Sequence, residues 1–169
     1  MPIDADGFRE IFASLPTTVA VVTAVGLDGI PRGMTTNTVT ALSRNPPLLL
    51  VCMDEASQTL PAVRESGFFA VNFLADSGDG ISQTFAGKAP DKFARFDHLP
   101  ARQAGGAPVF TADVVAHAEC SVHAEIPAGD HSIVIGAIRA GAARDRAPLM
   151  YHRRSYSSWP PAQQLVAAD

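Results

Sequence analysis

Between Met34 and Thr40 the chain reads Met34-Thr35-Thr36-Asn37-Thr38-Val39-Thr40, five hydroxyl or amide side chains in seven residues. Buried polar groups need partners. The segment is therefore either an edge strand with one wet face, or a polar cradle whose backbone and short side chains approach a flat heteroaromatic ligand. A second polar group, Ser57-Gln58-Thr59, directly precedes Leu60 at an expected helix start. Free N–H groups and the helix dipole there favour an anion, and phosphate suits the spot. The two lysines, Lys88 and Lys92, fall within one irregular stretch from Phe85 to Phe93, either as positive charge for that anion or as a solvated loop. His117, Glu119 and His123 are placed by period two on one strand face, where they are either metal ligands lacking a fourth group or a wet, subunit-facing surface. Nucleophilic roles for Ser57, Ser132 or Cys52 lack the G-x-S-x-G elbow that exposes a serine, and neither G-x-G-x-x-G nor a Walker loop is present.

The elements that must position these groups are short. Phe8, Ile11, Phe12 and Leu15 recur at helical spacing behind Asp6, predicting an amphipathic helix over 6–15 that ends at Pro16. Thr17 to Val25, the turn letters Leu27-Asp28-Gly29 and an extended stretch from Ile30 predict a hairpin. Pro46-Pro47 leads into an apolar strand from Leu48 to Met53. Leu60 to Glu65 forms a brief helix closed by Gly67, and Phe68 to Leu74 a further strand. A helix is expected from Gly80 to Ala86, then an ordered irregular loop from Gly87 to Gly106. Val114 to Ile126 alternates over thirteen residues, Pro127-Ala128-Gly129-Asp130 breaks it, and His131 to Ile138 returns as a buried strand. Few helices and six or seven strands, without strand–helix alternation, argue for a mainly β, closed or nearly closed antiparallel barrel rather than a doubly wound sheet.

At 169 residues, 47% hydrophobic and 18% charged, the chain is expected to fold as one domain, with 158–169 as a peripheral tail. Thirteen basic against seventeen acidic side chains, net −4, without a Lys/Arg face, exclude nucleic acid as an expected partner. No apolar run approaches the ~20 residues of a membrane helix. Cys52 and Cys120 read as buried free thiols, and the opening residues lack the n- and h-regions of a signal peptide; a cytoplasmic location is the expectation.

An ordered series of short segments resembles the short-chain flavin reductase family, whose members have an FMN-binding split barrel and serve two-component flavin-dependent monooxygenases. The segments are Leu15-Pro16-Thr17-Thr18-Val19-Ala20-Val21-Val22-Thr23, Gly33-Met34-Thr35-Thr36-Asn37-Thr38, Pro46-Pro47-Leu48-Leu49-Leu50-Val51-Cys52 and Gly67-Phe68-Phe69-Ala70-Val71-Asn72-Phe73-Leu74. Phe85-Ala86 with Asp91-Lys92-Phe93, Gly129-Asp130-His131-Ser132-Ile133 and Pro148 to Tyr156 complete it. The family's common M-T-A-N-S has here Thr36 for alanine and Thr38 for serine, changes that bear on flavin preference.

The resemblance implies that Thr35, Thr36, Asn37 and Thr38 line the flavin, and that Ser57, Gln58 and Thr59 hold its phosphate. Phe85, Ala86, Lys92 and Phe93 complete the phosphate and ring surroundings; Cys52, Met53 and Asp54 pass close to the ring. His131 lies near the flavin and contacts the nicotinamide, with Arg153 and Tyr156 bordering the pocket. It implies hydride transfer from NADH, or NADPH, to FAD or FMN, a homodimer, a monooxygenase partner fed by diffusing reduced flavin, and no metal. Within the same fold the alternatives are a flavoprotein oxidase of the pyridoxamine-phosphate-oxidase type and a non-catalytic flavin- or haem-binding barrel. Arg139, Arg144, Arg146, Arg153 and Arg154 either receive a 2′-phosphate or are solvated.

Overall fold

The computed structural model describes residues 2–89, 91–95 and 106–159. Helix α1 (Ala5–Ala13) is capped by Asp4, whose carboxylate accepts from the Gly7 N–H at 2.8 Å. It starts one residue before the expected span and stops two short of it. Its apolar face is not buried: Phe8, Ile11, Phe12 and Leu15 all remain more than half exposed.

The strands follow as β1 (Thr17–Thr18), β2 (Ala20–Val25), β3 (Pro31–Thr36), β4 (Val39–Ser43) and β5 (Leu48–Asp54). After α2 (Thr59–Ser66) come β6 (Phe68–Leu74), α3 (Asp79–Ala86) and a 3-10 turn over Lys92–Arg95; β7 (Val114–Ala128), β8 (His131–Ala143), β9 (Leu149–His152) and β10 (Ser155–Ser158) complete the order. The helix closed by Gly67 is as expected, since Gly67 adopts φ 71°. The expected single strand from Thr17 divides: β1 leaves for a three-stranded sheet, order β1-β9-β10, while β2 enters the seven-stranded one.

That larger sheet has the order β3-β2-β6-β7-β8-β5-β4, with every pairing antiparallel. Its two edge strands, β3 and β4, are consecutive in the chain and joined by Asn37-Thr38 alone. Two residues bridge at most about 11 Å. Flat, the sheet would hold its edges roughly 29 Å apart. It must therefore curl enough to bring the end of β3 and the start of β4 within that reach, and in the link the Thr38 hydroxyl donates to the Cys52 carbonyl at 3.1 Å. Among the described residues the architecture is mainly antiparallel β with three short α-helices.

Strand β2 is buried on both faces and divides the core in two. Ala20, Val22 and Ala24 pack with Val51, Met53, Leu60, Val63, Phe69 and Val71, under α2. Val19 and Val21 pack with Leu74, Ile81, Phe85, Phe110 and Leu149, under α3. Fully burying each large side chain contributes about 1.5–3 kcal/mol. Among the described residues no helix is long and apolar enough to cross a membrane.

The long β7 departs from expected alternation. Pro127 and Ala128 stay in the strand, so the turn is Gly129-Asp130. The pairing shifts between Val122 and Ala124, which leaves His123 as an extra, exposed residue. Such a bulge resets which face each later side chain takes. His123 is thereby separated from His117 and Glu119, which lie 3.8 Å apart and nearly buried. Among the described residues no three His, Cys, Asp or Glu side chains gather into a metal site. Of the irregular loop from Gly87 to Gly106, Pro90 and 96–105 lie outside the described residues, as does 160–169 of the C-terminal tail.

Candidate active site

A cleft of about 360 Å³ lies where β3, the start of α2 and the end of α3 converge. Its walls include Arg32, Gly33 and Thr35 from β3, Asp54, Ser57, Gln58 and Thr59 from the β5–α2 turn, and Phe85, Ala86, Lys88, Lys92 and Phe93 from α3 onward. Glycine at 33 is required by contact: a Cβ there would lie 2.7 Å from the Phe85 ring and 3.3 Å from Phe93. The two rings meet edge to face at 4.8 Å, which holds the 3-10 turn against β3. Lys92 locks the same junction, its ammonium donating to the Gly33 carbonyl at 3.1 Å and the Phe85 carbonyl at 3.0 Å. Burial pushes its pKa below the ordinary lysine value. An ammonium has three donors, so one remains for a ligand. At the α2 start the Ser57 hydroxyl accepts from the Leu60 N–H at 3.2 Å and Pro61 carries none, so the first-turn N–H left is that of Thr59, a residue of the cleft wall.

A second cleft, about 310 Å³, adjoins the first across Thr35 and Ala86 and is lined by Val19, Thr36, Asn37, Ser82, Tyr151 and Tyr156. Both volumes suit small-molecule sites, roughly 300–1,000 Å³. The polar side chains between Thr35 and Thr38 are held by the protein itself. Thr35 donates to the Ser82 carbonyl at 2.7 Å, the Thr36 and Thr38 hydroxyls share a bond at 2.9 Å, and Asn37 Nδ2 donates to Thr17 Oγ1 at 3.2 Å. Tyr156 OH and Ser82 Oγ lie 2.9 Å apart. Thr35 at the end of edge strand β3 thus walls both clefts, Thr36 and Asn37 wall the second, and Thr38 lines neither.

His131 opens β8 directly opposite Asp54 at the end of β5. Its Nδ1 lies 2.8 Å from Asp130 Oδ1, and this bond holds the Asp130 carboxyl below its ordinary value. The imidazole is 41% exposed and stands beside the Asp54 wall rather than in either cleft's lining. Behind it, Arg64 grips Glu55 through two parallel bonds of 2.8 and 3.1 Å and also reaches Glu125, while Ser132 donates to Glu55 at 2.7 Å. The guanidinium lowers the pKa of both glutamates.

Of the residues expected at the site, Thr35, Asp54, Ser57, Gln58, Thr59, Phe85, Ala86, Lys92 and Phe93 meet in the first cleft. Thr36, Asn37 and Tyr156 meet in the second. Met53 is fully buried with its side chain in the core, so it offers a ligand only backbone. Cys52, on the opposite strand face, is half-buried rather than buried, and its carbonyl serves Thr38. Arg153 is exposed in the β9–β10 turn, where its N–H donates to Ala13. Sequence reasoning passed over Arg32, Ser82, Tyr151 and the Glu55–Arg64–Glu125 cluster. Ser82 and Tyr151 carry ordinary helix and strand signals, and the partners of Arg64 stand 9 and 61 residues away, so no local pattern marks them.

Residues 12–160 match the model of the flavin reductase like domain, and the chain belongs to that family. It is similar to the flavin reductase (NADH) of Kitasatospora aureofaciens, at 50% identity over 94% of this chain and 83% of that protein. It is 34% identical to HsaB, the reductase subunit of a flavin-dependent monooxygenase of Mycobacterium tuberculosis, over 98% of this chain and 88% of that one. The NADH:FAD oxidoreductase SgcE6 of Streptomyces globisporus, solved with NAD and FAD fragments, superposes with a TM-score of 0.84 at 28% identity, covering 96% of this chain and 98% of that chain.

Proposed function

We propose that this chain is an NAD(P)H:flavin oxidoreductase that uses NADH, or NADPH, to reduce FAD or FMN and supplies the reduced flavin to a flavin-dependent monooxygenase. The observation that carries the reading is the pair of clefts meeting at Thr35 and Ala86, one with lysines and a helix start, the other neutral and aromatic. A molecule with a phosphate at one end and a flat ring at the other matches that division.

Ser57, Gln58, Thr59 and the free donor of Lys92 hold the phosphate. Thr35 to Thr38, fixed by their own hydrogen bonds, present a rigid polar wall to the ring, with Ala86, Phe93 and Tyr156 flanking it. The backbone from Cys52 to Asp54 closes the remaining side. A flavin bound there supplies the hydride acceptor. The protein's contribution is to hold the two ring systems in contact and to exclude alternatives. His131, braced by Asp130, orients the nicotinamide from the Asp54 side, with Arg153 at the outer rim.

The chain acts as a single domain. Its curled sheet forms a split barrel, a geometry supported by the two-residue link between the sheet's edges. A homodimer is supported by the exposed apolar face of α1, and a cytoplasmic setting by two free thiols. The deciding experiment follows the absorbance of NADH and then NADPH with purified protein, with and without FAD, FMN and riboflavin. Turnover that requires added flavin is expected. No turnover in any combination removes the reductase reading and leaves a flavoprotein oxidase or a binding barrel.

A further inference from the structure

Arg64 occupies the last turn of α2, away from both clefts, yet it ties three separate segments together. Its guanidinium forks onto Glu55, which follows Asp54 at the cleft wall, and binds Glu125 of β7 through Nε at 3.0 Å. Ser132, fully buried and adjacent to His131, donates to the same Glu55 carboxylate at 2.7 Å and receives a 3.3 Å contact from Arg64 Nη2. The Glu55 N–H donates to the Asp130 carbonyl at 3.0 Å. Both flanks of His131 therefore bond to Glu55, Asp130 to its backbone N–H and Ser132 to its carboxylate, and that carboxylate is gripped by Arg64.

The energetics separate this arrangement from simple stabilisation. Arg64 and Glu55 are 41% and 39% exposed, and ion pairs so placed add little to stability. Helix α2 is anchored without them, by Leu60, Ala62 and Val63 in the core and by the Ser57 cap. The hairpin end at residues 127–130 is exposed and buries no apolar side chain; besides its ladder pairing, it is held by the Glu55 N–H to Asp130. Cutting the cluster leaves the phosphate end of the site and the β5–β8 ladder in place and removes the side-chain brace on Ser132, next to the imidazole.

We infer that Arg64 is a positioning residue, which through Glu55 and Ser132 sets His131 at a fixed separation from the α2 end of the flavin site. The inference rests on the reading of those two ends as opposite sides of one flavin-reducing centre. A lysine at 64 keeps the charge but lacks the planar fork that grips one carboxylate twice while reaching a second. Misplacement of about 1 Å in a bimolecular site costs up to roughly a hundredfold in rate.

The test compares wild type with Arg64→Lys and Arg64→Met. Thermal midpoint, FAD affinity by fluorescence quenching, kcat and KM for NADH at saturating FAD, and amide hydrogen exchange are measured. Both variants are expected to keep the midpoint within a few degrees and FAD affinity within threefold. Their kcat/KM for NADH should fall at least tenfold, and exchange should quicken at residues 128–132 but not in α2. Unchanged kinetics with unchanged exchange would overturn the inference, as would a collapse of the midpoint together with loss of FAD binding. If wild type itself fails to oxidise NAD(P)H, the proposed function falls, and exchange decides alone: faster opening at 128–132 in Arg64→Lys supports the positioning role and unchanged exchange rejects it.

Discussion

Asp54 and His131 stand directly opposite one another in the β5–β8 ladder, so the cleft wall and the turn that carries the imidazole share one register. A slip of either strand by one residue would send that strand's side chain to the other face and part the pair. The hydrogen bond of His131 to Asp130 further fixes the ring. In His131→Gln we expect kcat/KM for NADH to fall about tenfold or more, with FAD affinity within threefold and the thermal midpoint nearly unchanged, because the side chain is 41% exposed. Steady-state kinetics beside flavin titration check this. Equal losses in both would show that His131 holds flavin instead.

Lys92 is expected to discriminate among flavins. A charge-assisted bond to phosphate is worth roughly 1.5–3 kcal/mol. Lys92→Met should therefore weaken FMN binding by about tenfold or more. Riboflavin, which has no phosphate, should lose little beyond the shared loss of the Gly33 and Phe85 carbonyl contacts. Fluorescence titration with both ligands measures the difference, and equal weakening would remove the phosphate role.

Gly33→Ala should destabilise the fold by about 1–3 kcal/mol, because the added methyl meets a ring with nowhere to go. Phe85 is 1% exposed and already packed against Phe93. For a chain of this size the thermal midpoint should drop by roughly 3–10 °C. Adding Phe85→Leu is expected to recover part of that loss, since it removes the ring edge that the methyl strikes.

The two cysteines should differ in reactivity. Burial, with the Glu119 carboxylate adding to it, pushes the Cys120 thiol up to about 12. A disulfide reagent should therefore titrate at most Cys52 in the native protein, and both thiols in denaturant. The same shift has a stability consequence. An unfolded thiol ionises near its ordinary value of 9.0 while the folded one stays protonated, so Cys120's share of stability is complete below 9 and is lost as pH rises toward 12. Cys120→Ala should flatten that decline in urea midpoints.

Acid should act in the opposite sense. Arg32 beside Asp28 holds its carboxyl at about 2, and Glu55, Glu125 and Asp130 are also held low by their partners. Their contributions are present above the ordinary carboxylate values and disappear as pH falls through the folded ones. For Asp28 the window runs from 3.8 down to about 2. These pairs are solvent-exposed, so the effect should be small and should shrink in salt. Urea midpoints of wild type and Asp28→Asn across that window measure it.

Much of this was local enough to read from the residues. Phe68–Leu74 forms a strand end to end as expected, Gly67 stops α2 as a glycine able to take positive φ does, and α3 begins within a residue of its expected start. The ordered short segments also identify the family, because each carries turn, cap or strand chemistry within a few residues. What local pattern could not contain was partnership. The curl that joins β3 to β4 depends on seven strands finding one order, and the bulge that turns His123 away depends on pairing with β8. Thr17-Thr18 reads as the start of β2 until Tyr151 and Met150 claim it. Arg64 reads as a helix surface charge until Glu125 arrives from 61 residues away. Side-chain period is set by bonds between neighbours, and so the sequence by itself determined the elements and their apolar faces. Register, bulges and the meeting of the two clefts are set by contacts distant along the chain, and only the tertiary structure decided them.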